Sequence, residues 1–292
     1  MVQGQPGKVH LVRRCAVLGS PIAHSLSPAI HQAAYAWLGL DWEYQRHLVE
    51  AEELAGFVAG LDRSWRGLSC TMPLKHAVVA LGTADSVVQT LGVGNTVVFD
   101  GHPGDVSTTR VYNTDVPGLV SALRAAGAQD VSSAVLVGNG ATARSILLAL
   151  SELGVTRATV LARNPDKTRD LAGLGEPLGI EVTHLDLGAT PSAADLVVST
   201  VPAETSGRLA PALTADTVFD AVYDPWPTPL AADAARRGLR VVSGLDLLVH
   251  QAVGQVELFT GRTVPADLLL EAARDEQARR HQPDGSGSAD PR

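Results

Sequence analysis

The residues Gly138-Asn139-Gly140-Ala141-Thr142-Ala143 follow the apolar run Ala134–Val137 and open a segment of helical spacing. This reads as strand, G-x-G-x-x-A turn and helix. The first glycine permits the tight turn, and the second lets backbone approach a pyrophosphate. The small third residue lets helix and strand pack closely. The helix N-terminus adds free N–H donors and the positive end of its dipole. The pattern predicts a dinucleotide site; the bland alternative is a Gly-rich turn of an ordinary α/β domain. The next strand ends Val160-Leu161-Ala162-Arg163-Asn164. An NAD site would place Asp or Glu at that tip, to bond the ribose 2′-hydroxyl. Arg163 stands there instead, a residue type suited to a 2′-phosphate. Lys167 follows nearby, either as a second cation or as a plain surface charge.

Gly19-Ser-Pro-Ile-Ala-His24-Ser25-Leu-Ser27-Pro28 sets two hydroxyls before a helix. Hydroxyl donors, free N–H groups and a favourable dipole make a natural carboxylate site. Plain capping by Ser27, with Ser25 and His24 in the turn, is the alternative. Lys75 follows Thr71-Met72-Pro73-Leu74, and a lone lysine at a helix start is ordinarily solvated. Asp115, in Asn113-Thr114-Asp115, could serve as an N-cap alone. No H-E-x-x-H, C-x-x-C or histidine ligand spacing occurs, so no metal site is expected. A glycosidase-type carboxylate pair cannot be located.

Positioning these residues falls to an alternating series of elements. Strands are expected at Cys15–Gly19, Trp42–Val49 and Leu68–Thr71, and a hairpin at Asn95–Phe99 with Thr109–Tyr112. Helices are expected from Ser27 to Leu38, over Glu52–Leu61 and around Lys75–Leu81. From Val116 onward, helices Val116–Ala126, Ala141–Leu153, Pro165–Leu174 and Leu230–Arg237 alternate with strands Ala134–Val137, Ala158–Ala162, Glu181–His184, Leu196–Ser199, Thr217–Val222 and Arg240–Val242. Such alternation with short loops implies a parallel sheet covered by helices on both faces. Helices Leu245–Phe259 and Ala266–Arg280 precede a polar tail, Gln282–Arg292.

The whole chain fits this scale. At 292 residues it suggests about two domains. Net charge is −8, which leaves no basic excess to follow a phosphate backbone and argues against nucleic-acid binding. The two cysteines, Cys15 and Cys70, sit in apolar runs and read as buried reduced thiols of a cytoplasmic protein. The N-terminus lacks the unbroken apolar stretch of a signal peptide. No apolar run approaches the ~20 residues of a membrane-spanning helix.

Taken in order, six motifs resemble shikimate dehydrogenase, from about Cys15 to Gly261: Gly19 to Pro28, Thr71 to Lys75, Gly94-Asn95-Thr96, Asn113 to Asp115, Asp220-Ala-Val-Tyr223-Asp-Pro225, and Gly244 to Gln251-Ala252. The resemblance implies an α/β fold: an N-terminal α/β substrate domain (9–115), a doubly wound Rossmann domain (116–244), and C-terminal helices (245–280) returning to the first domain. It implies NADP as cofactor and shikimate or 3-dehydroshikimate as substrate, in a monomer or homodimer. By motif, Lys75 and Asp115 correspond to the catalytic pair. Ser25, Ser27, Thr71, Asn95, Asp115, Tyr223 and Gln251 correspond to substrate contacts. Gly138, Asn139, Gly140, Ala141, Thr142, Arg163, Asn164, Lys167, Ala221 and Gly244 correspond to cofactor contacts. A quinate/shikimate dehydrogenase of broader specificity and a non-catalytic ligand sensor are the alternatives. Four segments depart from the family's pattern: Ser69-Cys70-Thr71 for Asn-Val-Thr, Val111-Tyr112-Asn113-Thr114-Asp115 for Gly-x-Asn-Thr-Asp, Ser199–Thr205 for Asn-x-x-Pro-x-Gly-Met, and Leu247 for Met.

Overall fold

The computed structural model describes residues 12–281. The tail from Gln282 and the first residues of the expected substrate domain, 9–11, lie outside the described residues. Among the described residues, twelve strands form two six-stranded sheets.

The first sheet holds β1 (Arg13–Gly19), β2 (Trp42–Leu48), β3 (Trp65–Cys70), β4 (Thr83–Ala84), β5 (Thr96–Phe99) and β6 (Thr109–Tyr112), in the order β2-β1-β3-β5-β6-β4. β1 pairs parallel with β2 and β3, while β5 and β6 form the expected antiparallel hairpin. Helices α1 (Ser27–Trp37), α2 (Leu54–Ala59) and α3 (Ser86–Leu91) connect these strands. The long helix α4 (Asp115–Ala125) leads into the second sheet.

That sheet is parallel throughout. It comprises β7 (Ser133–Val137), β8 (Arg157–Ala162), β9 (Glu181–Asp186), β10 (Leu196–Ser199), β11 (Thr217–Asp220) and β12 (Arg240–Ser243), in the order β12-β11-β10-β7-β8-β9. Helices α5 (Ala141–Glu152), α6 (Pro165–Gly175), α7 (Ala203–Leu209) and α8 (Pro229–Arg236) link its strands. The strand order reverses between β10 and β7. A doubly wound sheet binds ligands in the crevice at that point. The central strands are nearly continuous apolar runs because helices cover both faces. Val135, Leu136, Val197, Val198 and Phe219 are buried accordingly.

Two helices then return to the first sheet: α9 (Gly244–Thr260) and α10 (Ala266–His281). Leu26, Ile30 and Ala34 of the α1 region share one core with Val249, Ala252, Val256 and Leu269. Gly118 on α4 permits close contact with α9, since a Cβ there would lie 2.8–2.9 Å from Gln251 backbone and side-chain atoms.

The structure corrects several local expectations. Lys75–Leu81 is not an α-helix: turns lead into a 3-10 segment at Ala77–Leu81, after Pro73 and through the β-branched Val78 and Val79. β4 and α3 are additional elements, and Asp85 caps α3 by accepting from Val88 N–H at 2.8 Å. The segment expected as the Ser199–Thr205 loop contains the start of α7, behind Pro202. Ser27 is not an N-cap; Leu26 holds that position, and Ser27 is the first helical residue. Asp115 likewise lies inside its helix, one residue past the N-cap Thr114. Both cysteines are free and buried, and burial pushes the Cys15 thiol up to about 12.

Candidate active site

Two clefts meet between the sheets. The smaller, of about 190 Å³, is bounded by the first sheet, α9 and the loop after β11. The larger, of about 590 Å³, runs along the carboxyl ends of β7, β8 and β10. Thr71, Lys75 and Thr142 line both.

Lys75 stands at this junction, and Asp115 lies beside it in the smaller cleft. Lys75 Nζ donates to Asp115 Oδ2 at 2.6 Å, and the two side chains are only 12% and 10% exposed. Lys75 comes from the turn after β3, and Asp115 from the first turn of α4. Asp115 is held by several partners. Asn95 Nδ2 donates to Asp115 Oδ1 at 2.9 Å, and Asn113 Oδ1 accepts from the Asp115 N–H at 3.0 Å. Asn95 is fixed in turn, because its Oδ1 accepts from Thr114 N–H at 2.8 Å. Lys75 Nζ also lies 3.4 Å from Thr142 Oγ1, on the first turn of α5. A cation paired with an anchored carboxylate, at the border of two clefts, can hold and transfer a proton there.

Of the other expected substrate residues, Ser27, Thr71, Asn95, Tyr223 and Gln251 all line the smaller cleft. Gln251 Nε2 donates to Leu248 O at 2.8 Å, which orients its carboxamide. Burial raises the Tyr223 phenol above its ordinary value, so it is a neutral donor. Ser25 does not line either cleft; its Oγ accepts from the Ser27 N–H at 3.3 Å and shapes the turn before α1.

The expected cofactor residues divide between the clefts. Gly138 to Thr142, Arg163, Asn164 and Lys167 line the larger one. Ala221 and Gly244 line the smaller one, where Gly244 lets α9 begin against the Ala221 carbonyl. Gly138 has φ +104°, a conformation that side chains disfavour. A Cβ on Gly140 would meet nothing within 4 Å, so open space lies beside the start of α5. This is a cradle that a pyrophosphate fits. Two asparagines here serve the loops themselves. Asn139 Nδ2 donates to Asn164 O at 2.8 Å and to Thr168 Oγ1 at 3.1 Å, and Asn164 Oδ1 caps α6 by accepting from Asp166 N–H at 2.9 Å. Arg163 and Lys167 are exposed at the rim.

Sequence reasoning missed a polar chain behind the smaller cleft. Tyr44 OH donates to Ser69 Oγ at 2.6 Å, and Ser69 Oγ donates to Gln255 Oε1 at 2.8 Å. The same oxygen lies 3.2 Å from His31 Nε2, and Gln255 Nε2 donates to Thr96 Oγ1 at 3.0 Å. His31 stacks on Tyr44, with ring centroids 4.0 Å apart and planes within 8°. Ser69, at the family's Asn position, is thus tied into a buried network while still lining the cleft with Gln255. Gln255 lies four residues after Gln251 on α9 and shares its face, a spacing that could have exposed it.

Burial pushes the His31 imidazole down to about 3, and the bond to Gln255 opposes this only in part. Folded His31 therefore stays neutral while the unfolded chain takes up a proton below its ordinary value of 6.5. Its contribution to stability is complete above that value and is lost as pH falls toward about 3. Up to about 1.4 kcal/mol per pH unit is expected from this group in the window. Thermal unfolding at about pH 7 and 5 should show Tm falling with acidity, and His31→Gln should flatten the dependence. Equal slopes in the two proteins would assign the loss to other groups.

The chain is similar to known proteins along most of its length. Residues 17–97 match the family model for the shikimate dehydrogenase substrate binding domain, and 244–274 match that for the shikimate 5'-dehydrogenase C-terminal domain. The NADP(+) shikimate dehydrogenase of Methanocella arvoryzae is 34% identical over 269 residues, covering 89% of this chain and 97% of the relative. Shikimate dehydrogenase of Mycobacterium tuberculosis superposes with a TM-score of 0.82 at 41% identity, over 90% of this chain and 99% of that one. The Thermus thermophilus enzyme, in complex with NADP(H) and shikimate, gives a TM-score of 0.77 at 32% identity, over 90% and 99% of the two chains. The family models, the fold and the near full-length similarity agree, and the chain belongs to the shikimate dehydrogenase family.

Proposed function

We infer that this protein reversibly interconverts shikimate and 3-dehydroshikimate with NADP, as an oxidoreductase of the shikimate pathway to chorismate and the aromatic amino acids. The observation that carries this reading is the position of Lys75 on the border shared by the two clefts, paired with Asp115 in the smaller one. Residues 12–115 together with α9 and α10 form the substrate half, and 116–244 the cofactor half. Among the described residues no helix is long and apolar enough to cross a membrane. Free buried thiols support a reducing, cytoplasmic setting, and the acidic net charge supports a small-molecule partner over nucleic acid. The assembly we propose is a monomer or homodimer, as the family resemblance implies.

NADP, when bound, supplies the hydride chemistry. Gly138 to Thr142 would hold its pyrophosphate, and Arg163 with Lys167 its 2′-phosphate. Ala221 and Gly244, which line the smaller cleft, would contact the cofactor from there. Ser27, with Ser25 shaping its turn, would take the substrate carboxylate at the start of α1. Thr71, Asn95, Tyr223 and Gln251 would hold ring hydroxyls and fix the reacting carbon against the cofactor. During oxidation the Lys75 amine accepts the hydroxyl proton at Nζ; in the reducing direction the ammonium returns it. Asp115 orients Nζ and shares a substrate hydroxyl.

The direct test follows NADP reduction with shikimate. Turnover supports the reading; shikimate binding without turnover would make the chain a sensor. Ser27→Ala removes one hydrogen bond to an ionised group, which typically contributes about 1.5–3 kcal/mol. Shikimate KM should rise at least about tenfold while NADP KM stays unchanged. Equal loss of both would indicate a distorted α1 instead.

A further inference from the structure

Three successive carbonyls in the turn before α1 are each held by a guanidinium. Arg46 Nη1, on β2, donates to Ala23 O. Arg280, in the last turn of α10, donates from Nη1 to His24 O at 2.8 Å and from Nη2 to Ser25 O at 3.1 Å. Its Nε donates to Glu276 Oε1 at 2.8 Å, so the side chain is fixed on both edges. Gln277, three residues earlier on the same helix face, donates from Nε2 to Tyr223 O at 2.9 Å. One face of α10 therefore ties the serine turn to the loop after β11. Both ends of that tie carry residues of the smaller cleft, Ser27 and Tyr223. Neither Arg46, Gln277 nor Arg280 lines that cleft.

We propose that Arg280, assisted by Arg46 and Gln277, is a positioning residue for recognition of the substrate carboxylate. The proposal rests on the reading that the serine turn takes that carboxylate. A carbonyl aimed into an anion site repels the anion. Here the carbonyls of Ala23, His24 and Ser25 face guanidinium groups, which offset their negative ends through charge-assisted bonds. The anion then meets the Ser27 hydroxyl at the positive end of the α1 dipole. Arginine suits the task because one planar fork reaches two neighbouring carbonyls, which a lysine point charge does not. Gln277 holds the facing wall at Tyr223 in register with the same helix.

The test compares shikimate with its neutral methyl ester in steady-state kinetics. Arg280→Ala should raise shikimate KM about tenfold, which corresponds to ~1.4 kcal/mol. kcat should stay within about twofold, the NADP KM should be unchanged, and the ester should respond far less than the acid. Arg280→Lys should fall between the two proteins and retains a cation if the alanine variant folds poorly, which thermal unfolding would report. Equal effects on acid and ester, an equal rise in NADP KM, or unchanged shikimate KM would each overturn the proposal. Equal KM for acid and ester in the unmodified protein would overturn the carboxylate assignment at the serines, and the proposal with it.

Discussion

Lys75→Ala is expected to lower kcat by roughly 10²–10⁴-fold, the range for a positioned acid–base group. The lysine is held 2.6 Å from Asp115 with little exposure, so its Nζ cannot wander into solvent and meets whatever occupies the smaller cleft. Removing it leaves Asp115 beside Asn95 without its cation, so a Tm measurement must accompany the kinetics. Shikimate binding should remain within about an order of magnitude, because Ser27, Thr71 and Gln251 are untouched. Asp115→Asn should also lower kcat, since the amide keeps the shape but removes the charge that orients Nζ. A rise in KM alone for Lys75→Ala would make Lys75 a binding residue and defeat the acid–base role.

The second large effect concerns the choice of cofactor. Arg163 follows β8 at the rim of the larger cleft, and the carboxylate that an NAD site would use is absent from that strand tip. Asp166 lies beyond it and is engaged by Arg169 at 2.9 Å. A charge-assisted contact contributes about 1.5–3 kcal/mol, or roughly 10–150-fold in affinity. Preference for NADP over NAD of at least about tenfold in kcat/KM is therefore expected. Arg163→Ala should shrink that ratio by weakening NADP and leaving NAD nearly unchanged. Added salt should act in the same direction, because both Arg163 and Lys167 are exposed and screened. Equal use of both cofactors by the unmodified protein, or equal loss of both in the variant, would refute the role of Arg163.

Much of this architecture is legible before any coordinates because its signals are local. The turn from β7 to α5 needs a residue at positive φ and a bare approach to its groove, and Gly138 and Gly140 announce both. The parallel strands declare themselves as short apolar runs between helical segments. The elements that escape such reading are those too short to show a period. α3 has six residues, α7 seven and β4 two, less than two helical turns or a full alternation. The Lys75 segment misleads because a helix-like start after Pro73 settles into turns and a 3-10 segment. Ser27 reads as a cap one residue out of register; Leu26 takes the cap because Ser25 Oγ already receives the Ser27 N–H.

The sequence by itself determined the kinds of chemistry available and the order in which the chain presents them. It supplied a glycine cradle, a cation at the second strand tip, hydroxyls before a helix, and one lysine and one aspartate in recognisable motifs. Only the tertiary structure decided which of these meet. Lys75 finds Asp115 across 40 residues, His31 finds Gln255 across 224, and Arg280 finds the serine turn across 255. Backbone preference and hydrophobic period act over a few residues, so they write themselves into local pattern. A buried polar group must be satisfied by whichever partner the packed layers bring within hydrogen-bond reach. That partner is selected by the crossing of α4, α9 and α10 against two sheets, and no spacing along the chain records it.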